Sequence, residues 1–169
     1  MRALVGGWEM SVVYSSYSGQ FLTPQWTGPD TTGTAFSSSR TAAQVTIRPN
    51  QLRDPNLPGD RRSVNGWFDA GAFAPPSAGS FGSAAKGVIK GPGSSIVNTG
   101  LSKRFDLGER LRLRWEMTAT NFFNHPNWDN PGVTITSQAQ VGVISAIGGV
   151  SSLDSSGARG FRMGVRLEW

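Results

Sequence analysis

Few side chains in this chain could do chemistry. Its 169 residues include one histidine, His125, and no cysteine, so disulfides and cysteine-based metal sites are impossible. His125 precedes Pro126 in a turn-like segment, and no spacing brings a set of carboxylates to it as metal ligands. Serines such as Ser94 and Ser95 lie outside any G-x-S-x-G motif. We therefore expect no catalytic residue, no metal site and no cofactor, and we predict that the protein is not an enzyme.

Two binding chemistries are also disfavoured. Gly91-Pro92-Gly93 lacks the lysine and the following helix that a phosphate-binding loop requires, so it is interpreted as a turn. The net charge of +5 would suit a nucleic-acid surface, but the basic residues are scattered and form no basic run. We expect no nucleic-acid partner.

Charged side chains alternate with apolar ones in residues 158–169. The apolar side chains occupy every second position, at Phe161, Met163, Val165, Leu167 and Trp169. Arg162, Arg166 and Glu168 lie between them, so one face would be apolar and the other charged. A period of two predicts a β-strand. A tilted strand of roughly 9 to 11 residues crosses a bilayer.

The same alternation predicts three earlier strands, at residues 8–17, 97–107 and 111–121. Together they predict an all-β fold, a segment of an antiparallel transmembrane β-barrel with about four long strands. The charged side chains of the polar face are candidates to face the barrel lumen, where they would tune passage or docking. These candidates are Arg112, Arg114, Glu116, Arg162 and Arg166. Ion pairing within the wall is the alternative role for them.

Only residues 108–110 separate the second strand from the third, which predicts a tight hairpin. This loop length would place Asp106 opposite Arg112, a favourable cross-strand pair worth a few tenths to about 1 kcal/mol. Lys103 interrupts the apolar face of the second strand. Because a lysine on a lipid face is tolerated only near an interface, we expect Lys103 close to one membrane surface.

Residues 18–95 lose this periodicity and are rich in Gly, Pro, Ser and Asn. Their aromatic residues argue against disorder, so we expect a folded cap with short strands or turns. Candidate ligand contacts in this loop are Trp26, Arg48, Asn50, Trp67 and Phe68. A self-packed loop without a ligand is the alternative. Residues 141–147 are predicted as a short strand or a return segment.

Several motifs in this order also resemble a known family. They are Ser18-Gly19-Gln20-Phe21, Arg48-Pro49-Asn50, Trp67-Phe68-Asp69 with Ala72-Phe73, Phe81-Gly82, Gly91-Pro92-Gly93, Lys103-Arg104-Phe105, Asn121-Phe122-Phe123-Asn124-His125-Pro126-Asn127-Trp128, and the closing residues 159–169. The chain resembles the C-terminal end of the barrel of TonB-dependent outer-membrane receptors, in particular the carboxypeptidase-regulatory-like, Oar-type group.

This resemblance implies a share of a barrel of about 22 strands, plugged by a separate domain, in the outer membrane of a Gram-negative bacterium. Such receptors take up scarce ligands, siderophores or glycans, with energy that TonB passes to the plug. The implied partners are outer-membrane lipid, the rest of the barrel and the plug, with TonB reached only through the plug, which this sequence lacks. The closing residues 161–169 would be the signal for the barrel-assembly machinery. We expect a fragment that is not active alone.

The short hairpin also predicts an orientation. Outer-membrane barrels keep short turns in the periplasm and long loops outside. Residues 18–95 and 122–157 would then be extracellular, and Trp169 would lie at the periplasmic rim.

Two other classes of protein fit parts of the pattern. One is an oligomeric outer-membrane barrel to which each identical chain gives four strands. The other is a secreted β-sandwich that binds glycans through exposed aromatic residues such as Trp26 and Trp67.

Overall fold

The computed structural model describes residues 6–32, 44–148 and 157–169. The strands within them are β1 Trp8–Tyr17, β2 Phe21–Leu22, β3 Trp26–Pro29, β4 Gln44–Ile47, β5 Asn50–Gln51, β6 Phe73–Ala74, β7 Ile89–Lys90, β8 Ser94–Asp106, β9 Arg112–Thr120 and β10 Gly160–Glu168. Short 3-10 turns span Gly59–Arg61 and Ala70–Ala72. No helix in the described ranges is long and apolar enough to cross a bilayer.

The chain divides into two compact units. The sheet unit comprises Met1–Ser18, Gly93–Asn127 and Ile147–Trp169, and the loop unit comprises Gly19–Pro92 and Trp128–Ala146. The sheet unit holds the four long strands in the order β1-β8-β9-β10, with every neighbouring pair antiparallel. The strands lie where the alternation predicts them. The largest difference is at β8, which begins three residues early because Ser94, Ser95 and Ile96 continue the pairing with β1.

The β8–β9 hairpin has the predicted register. Asp106 lies opposite Arg112, and the Leu107 N–H donates to the Leu111 carbonyl at 2.8 Å. Gly108 begins the three-residue loop with φ +112°, a conformation that side chains disfavour. The Asp106 and Arg112 side chains approach to 3.7 Å and are well exposed, so the pair contributes roughly 0 to 1 kcal/mol.

An asparagine-rich turn follows β9. Asn121 and Asn124 adopt positive φ values of 47° and 53°, which asparagine tolerates better than most residues. The buried Asn121 side chain accepts from the His125 N–H at 3.0 Å and donates to the His125 carbonyl at 2.9 Å and the Gly157 carbonyl at 2.8 Å. The motif around His125 is therefore a side-chain-stabilised turn, as the sequence predicts.

The described part of the loop unit is folded into short strands and turns, as the sequence predicts. Its strands form two-stranded sheets, β2 with β7, β3 with β4 and β5 with β6. One hydrophobic cluster contains Phe68, Ala72, Phe73, Ala84 and Ile89, and a second contains Trp26, Val45 and Ile47. Residues 141–147 form no strand, and Val141 makes only an isolated parallel bridge to Gly132.

Asn56 ties the irregular part of the loop unit to β7. Its amide donates to the Val88 carbonyl at 2.8 Å and accepts from the Lys90 N–H at 2.9 Å, so the side chain takes the place of a neighbouring strand. Its backbone N–H and amide also donate to Asp54, which holds the pKa of that carboxyl below its usual value.

Candidate functional site

One face of the four-stranded sheet is apolar, and its side chains on the outer strands β1 and β10 are exposed in the described part of the chain. Met10, Leu101, Met117 and Met163 form one cross-strand row on it, because the register places them directly opposite one another. Met163 is 72% exposed, and the other apolar side chains of β1 and β10 are also exposed. Contiguous exposed apolar surface marks a contact with a membrane or a partner.

The opposite face carries the charges. The register places all five predicted lumen candidates there, namely Arg112, Arg114, Glu116, Arg162 and Arg166. The two faces of the sheet therefore differ in polarity along the length of β9 and β10.

Three arginines form a row across the polar face. Arg104 on β8 lies opposite Arg114 on β9, and Arg114 lies opposite Arg166 on β10. Arg114 pairs with Glu116 at 2.6 Å, two residues along its own strand. Arg104 and Arg166 make no ion pair within the described part of the chain. Ion pairing within the barrel wall, the alternative role, therefore explains the position of Arg114. It does not explain Arg104 and Arg166.

Lys103 lies in an aromatic cluster on the apolar face. Its side chain is only 4% exposed, and its Nζ lies 4.4 Å from the centroid of the Trp8 ring and 5.1 Å from that of Phe105. Trp8 in turn packs edge-on against Trp115, with ring centroids 6.2 Å apart. The electron-rich faces of these rings attract the Lys103 ammonium. They therefore stabilise a charge that the strand pattern alone would place unfavourably on an apolar face.

The strand β10 pairs with β9 along one edge. Within the described ranges no strand pairs with its other edge, and the same holds for the outer edge of β1. Phe161, Met163, Val165 and Leu167 lie on its apolar face, and the terminal Trp169 is 92% exposed. Open strand edges of this length invite pairing with further strands.

Two aromatic candidates in the loop unit are core residues. Trp26 is 6% exposed and packs with Val45 and Ile47, so the expectation that it is an exposed glycan-binding aromatic is wrong. Phe68 is 4% exposed and packs edge-on against Phe73, which makes it a core residue rather than a ligand contact. Sequence alone could not distinguish these rings from surface aromatics, because the surrounding segments have no periodicity.

The other three loop candidates differ in their roles. Trp67 is half-buried, and its Nε1 donates to the Lys90 carbonyl at 2.9 Å. Asn50 accepts from the Ser83 N–H at 3.0 Å and therefore supports the loop backbone. Arg48 is exposed and lines an open cavity with Phe81. Of the five candidates, Arg48 is the one whose position suits a ligand contact.

The His125 ring lies beside another side chain of the asparagine-rich turn. Its Nδ1 lies 3.4 Å from the Asn127 side-chain oxygen. In the described ranges, no three acidic, histidine or cysteine side chains come close enough together to hold a metal ion.

Comparison with protein families adds the deciding observation, since residues 1–160 match the model of an outer membrane beta barrel domain. The chain belongs to this family. No curated protein and no solved structure matches the chain.

An outer membrane beta barrel domain lies in the outer membrane of Gram-negative bacteria, as the sequence predicts. The alternative of a secreted β-sandwich is therefore wrong. The antiparallel sheet of long strands, apolar on one face and charged on the other, is the architecture that such domains use.

Sequence reasoning missed three residues of interest. Arg104 belongs to the arginine row, and the predicted pairing of Asp106 with Arg112 already implied that Arg104 faces Arg114. Gln25 and Phe81 line the cavity beside Arg48, although they are distant in sequence. No local pattern could have brought these two residues together.

Proposed function

We propose that this domain is the C-terminal part of the barrel of a TonB-dependent receptor, which takes up a scarce ligand across the outer membrane. The observation that carries the proposal is the four-stranded sheet with two unlike faces and two open edges. Four strands cannot close a barrel, for which about eight are needed, so the sheet requires further strands. The motifs that resemble the Oar-type receptors supply the finer assignment.

In this proposal the apolar face contacts lipid and the charged face contacts the lumen. The row of Arg104, Arg114 and Arg166 then faces the interior, where a plug domain or a passing solute would meet it. Charge in the lumen of a barrel tunes what passes or docks. By the rule of short periplasmic turns and long external loops, the hairpin at residues 108–110 would face the periplasm and the long connection 18–95 would be extracellular.

The closing strand has a second role in the proposal. Its exposed apolar side chains and the aromatic Trp169 form the segment that the barrel-assembly machinery would recognise before the strand meets lipid. A free edge on β10 suits this role, because pairing with an added strand needs unpaired backbone groups.

Site-specific photo-crosslinking in the native full-length protein tests the assignment of the faces. A photoreactive residue at Arg114 should cross-link to the plug domain of the same polypeptide and give a compact band, whereas one at Met117 should label lipid. A cross-link from Arg114 to lipid would contradict the proposal. Cross-links from β1 of one chain to β10 of a second copy would instead favour the barrel shared among identical chains.

Growth measurements test uptake itself. Deleting the gene should give the same growth defect as inactivating TonB, on a limiting siderophore or on a glycan as sole carbon source. If the gene deletion impairs growth in cells that already lack TonB, the barrel works without energy coupling and the receptor assignment fails.

A further inference from the structure

We propose that the loop unit contains a binding site for a small organic carboxylate with a ring or apolar body, in the cavity between Arg48 and Phe81. The site deepens the proposed function by naming a ligand class, and its role in uptake rests on that function. Binding of the carboxylate can be tested whether or not the protein is an uptake receptor. The cavity has a volume of about 370 Å³, within the range of small-molecule sites.

The cavity combines an apolar base with an aromatic wall. Pro24 and Ile47 line it and are both buried. Phe81 also lines it and is well exposed, and an aromatic side chain adds apolar contact area to the wall. These residues suit the apolar body of a ligand.

Two hydroxyl groups that line the cavity already have hydrogen-bond partners. The Thr23 hydroxyl accepts from the Gly87 N–H at 3.0 Å, and the Thr46 hydroxyl lies 3.0 Å from that of Thr27. Among the described residues, neither Gln25 nor Arg48 has a side-chain hydrogen bond or ion pair. These two side chains are therefore available to a ligand.

Charge decides the class of the ligand. The described residues that line the cavity include one guanidinium, that of Arg48, and no acidic side chain. A guanidinium binds a carboxylate through two parallel hydrogen bonds, which adds direction as well as attraction. The Gln25 amide can donate to or accept from a second polar group of the same molecule.

The backbone holds the wall in place. A Cβ at Gly82 would overlap the Arg48 carbonyl oxygen, so the chain after Phe81 packs directly against the chain after Arg48. The Ala84 N–H donates to the Pro49 carbonyl at 3.0 Å. Two hydrogen bonds hold the backbone of Gln25. Its N–H donates to the Val133 carbonyl at 2.9 Å, and its carbonyl accepts from the Ile135 N–H at 2.8 Å. A pre-formed site loses less entropy when a ligand binds.

N-benzoylglycine is a suitable probe because it places a phenyl ring, an amide and a carboxylate on one small skeleton. Its carboxamide, N-benzoylglycinamide, is the matched probe without the charge. Binding to the full-length protein in detergent is measured by ligand-observed NMR. We expect a Kd on the order of 1 mM for the acid, given the affinity that a ligand of this size can reach, and at least about tenfold weaker binding for the amide.

Variants locate the site. Arg48→Ala and Phe81→Ala should each weaken binding of the acid by about tenfold, and Arg48→Lys should restore only part of it. Arg61→Ala and Phe21→Ala are the matched controls, because both residues are exposed in the same unit and neither lines the cavity. Both controls should bind like the unchanged protein.

Three results would overturn the site: no binding of the acid, equal binding of acid and amide, or unchanged binding in Arg48→Ala. The comparison of the two probes needs no variant, so it stands even if a substitution prevents folding. If the acid binds at Arg48 but cells show no TonB-dependent accumulation of it, the site remains and its role in uptake fails. If uptake of another ligand is TonB-dependent and Arg48→Ala leaves it unchanged, the uptake function stands and the site has no part in it.

Discussion

The side-chain oxygen of Asn127 accepts a hydrogen bond from the backbone N–H of Ser95 at 2.7 Å. Asn127 is fully buried, and its amide also donates to the His125 carbonyl at 3.2 Å. One side chain thus joins the start of β8 to the turn that follows β9. Because the two segments are 32 residues apart, this bond fixes a non-local junction of the sheet unit.

Asn127→Ala should therefore destabilise the sheet unit. The Ser95 N–H would lose its acceptor in a partly buried position, which costs about 1 to 3 kcal/mol. Urea unfolding of the full-length protein in lipid vesicles, followed by tryptophan fluorescence, measures the change. Asn65→Ala is the control, since Asn65 is exposed in the loop unit. Equal stabilities of the two variants would show that the junction does not depend on Asn127.

Gly82→Ala should destabilise the loop unit. Its Cβ would overlap the carbonyl oxygens of Arg48 and Pro49, and these are backbone atoms that cannot rotate away. The expected cost lies at the upper end of the roughly 1 to 3 kcal/mol typical of overpacking. Limited proteolysis of the full-length protein in detergent would report the loss as faster cleavage in the loop unit.

Gly59→Ala is the matched control for Gly82→Ala. A Cβ at Gly59 meets no atom within 4 Å, so stability should change by no more than about 0.5 kcal/mol. If both variants were cleaved at the rate of the unchanged protein, the close approach at Gly82 would be wrong.

The arginine row predicts opposite effects of two charge-neutralising substitutions. Arg166→Gln removes a cation directly opposite Arg114 and should leave stability unchanged or raise it by up to about 1 kcal/mol. Glu116→Gln removes the partner of Arg114 and should lower stability. Both effects should shrink at high salt, which screens exposed charges. Unfolding at low and high ionic strength distinguishes this from a packing effect, which salt would not reduce.

Much of the sheet unit could be predicted from the sequence because β-strands have a short and exact period. Alternation located all four strands, and the length of the hairpin loop fixed the register of Asp106 against Arg112. Once that pair is set, the partners of Arg104 and Lys103 follow by counting. Local information therefore determined a non-local arrangement.

The loop unit could not be predicted in the same detail. Its strands are two to four residues long, too short to show a period. The burial of Trp26 depends on β4, and the roles of Asn56 and Asn127 depend on backbone groups more than 30 residues away. The cavity beside Arg48 likewise combines three separate segments. Such contacts leave no pattern in a single sequence.

The last prediction concerns the depth of the apolar face in the membrane. Met163 lies near the middle of β10 and Leu167 lies near its end, both on the apolar face. If this face contacts lipid, Met163→Arg should cost about 2 to 4 kcal/mol and Leu167→Arg only about 0 to 1 kcal/mol, because the cost of a charge falls towards the interface. Gly164→Arg is the control on the polar face of the same strand, where the new side chain lies opposite Glu116 and should cost little. Reversible unfolding from vesicles measures all three. A cost at Leu167 that equals or exceeds the cost at Met163 would mean that packing against protein, rather than depth in lipid, determines the effect.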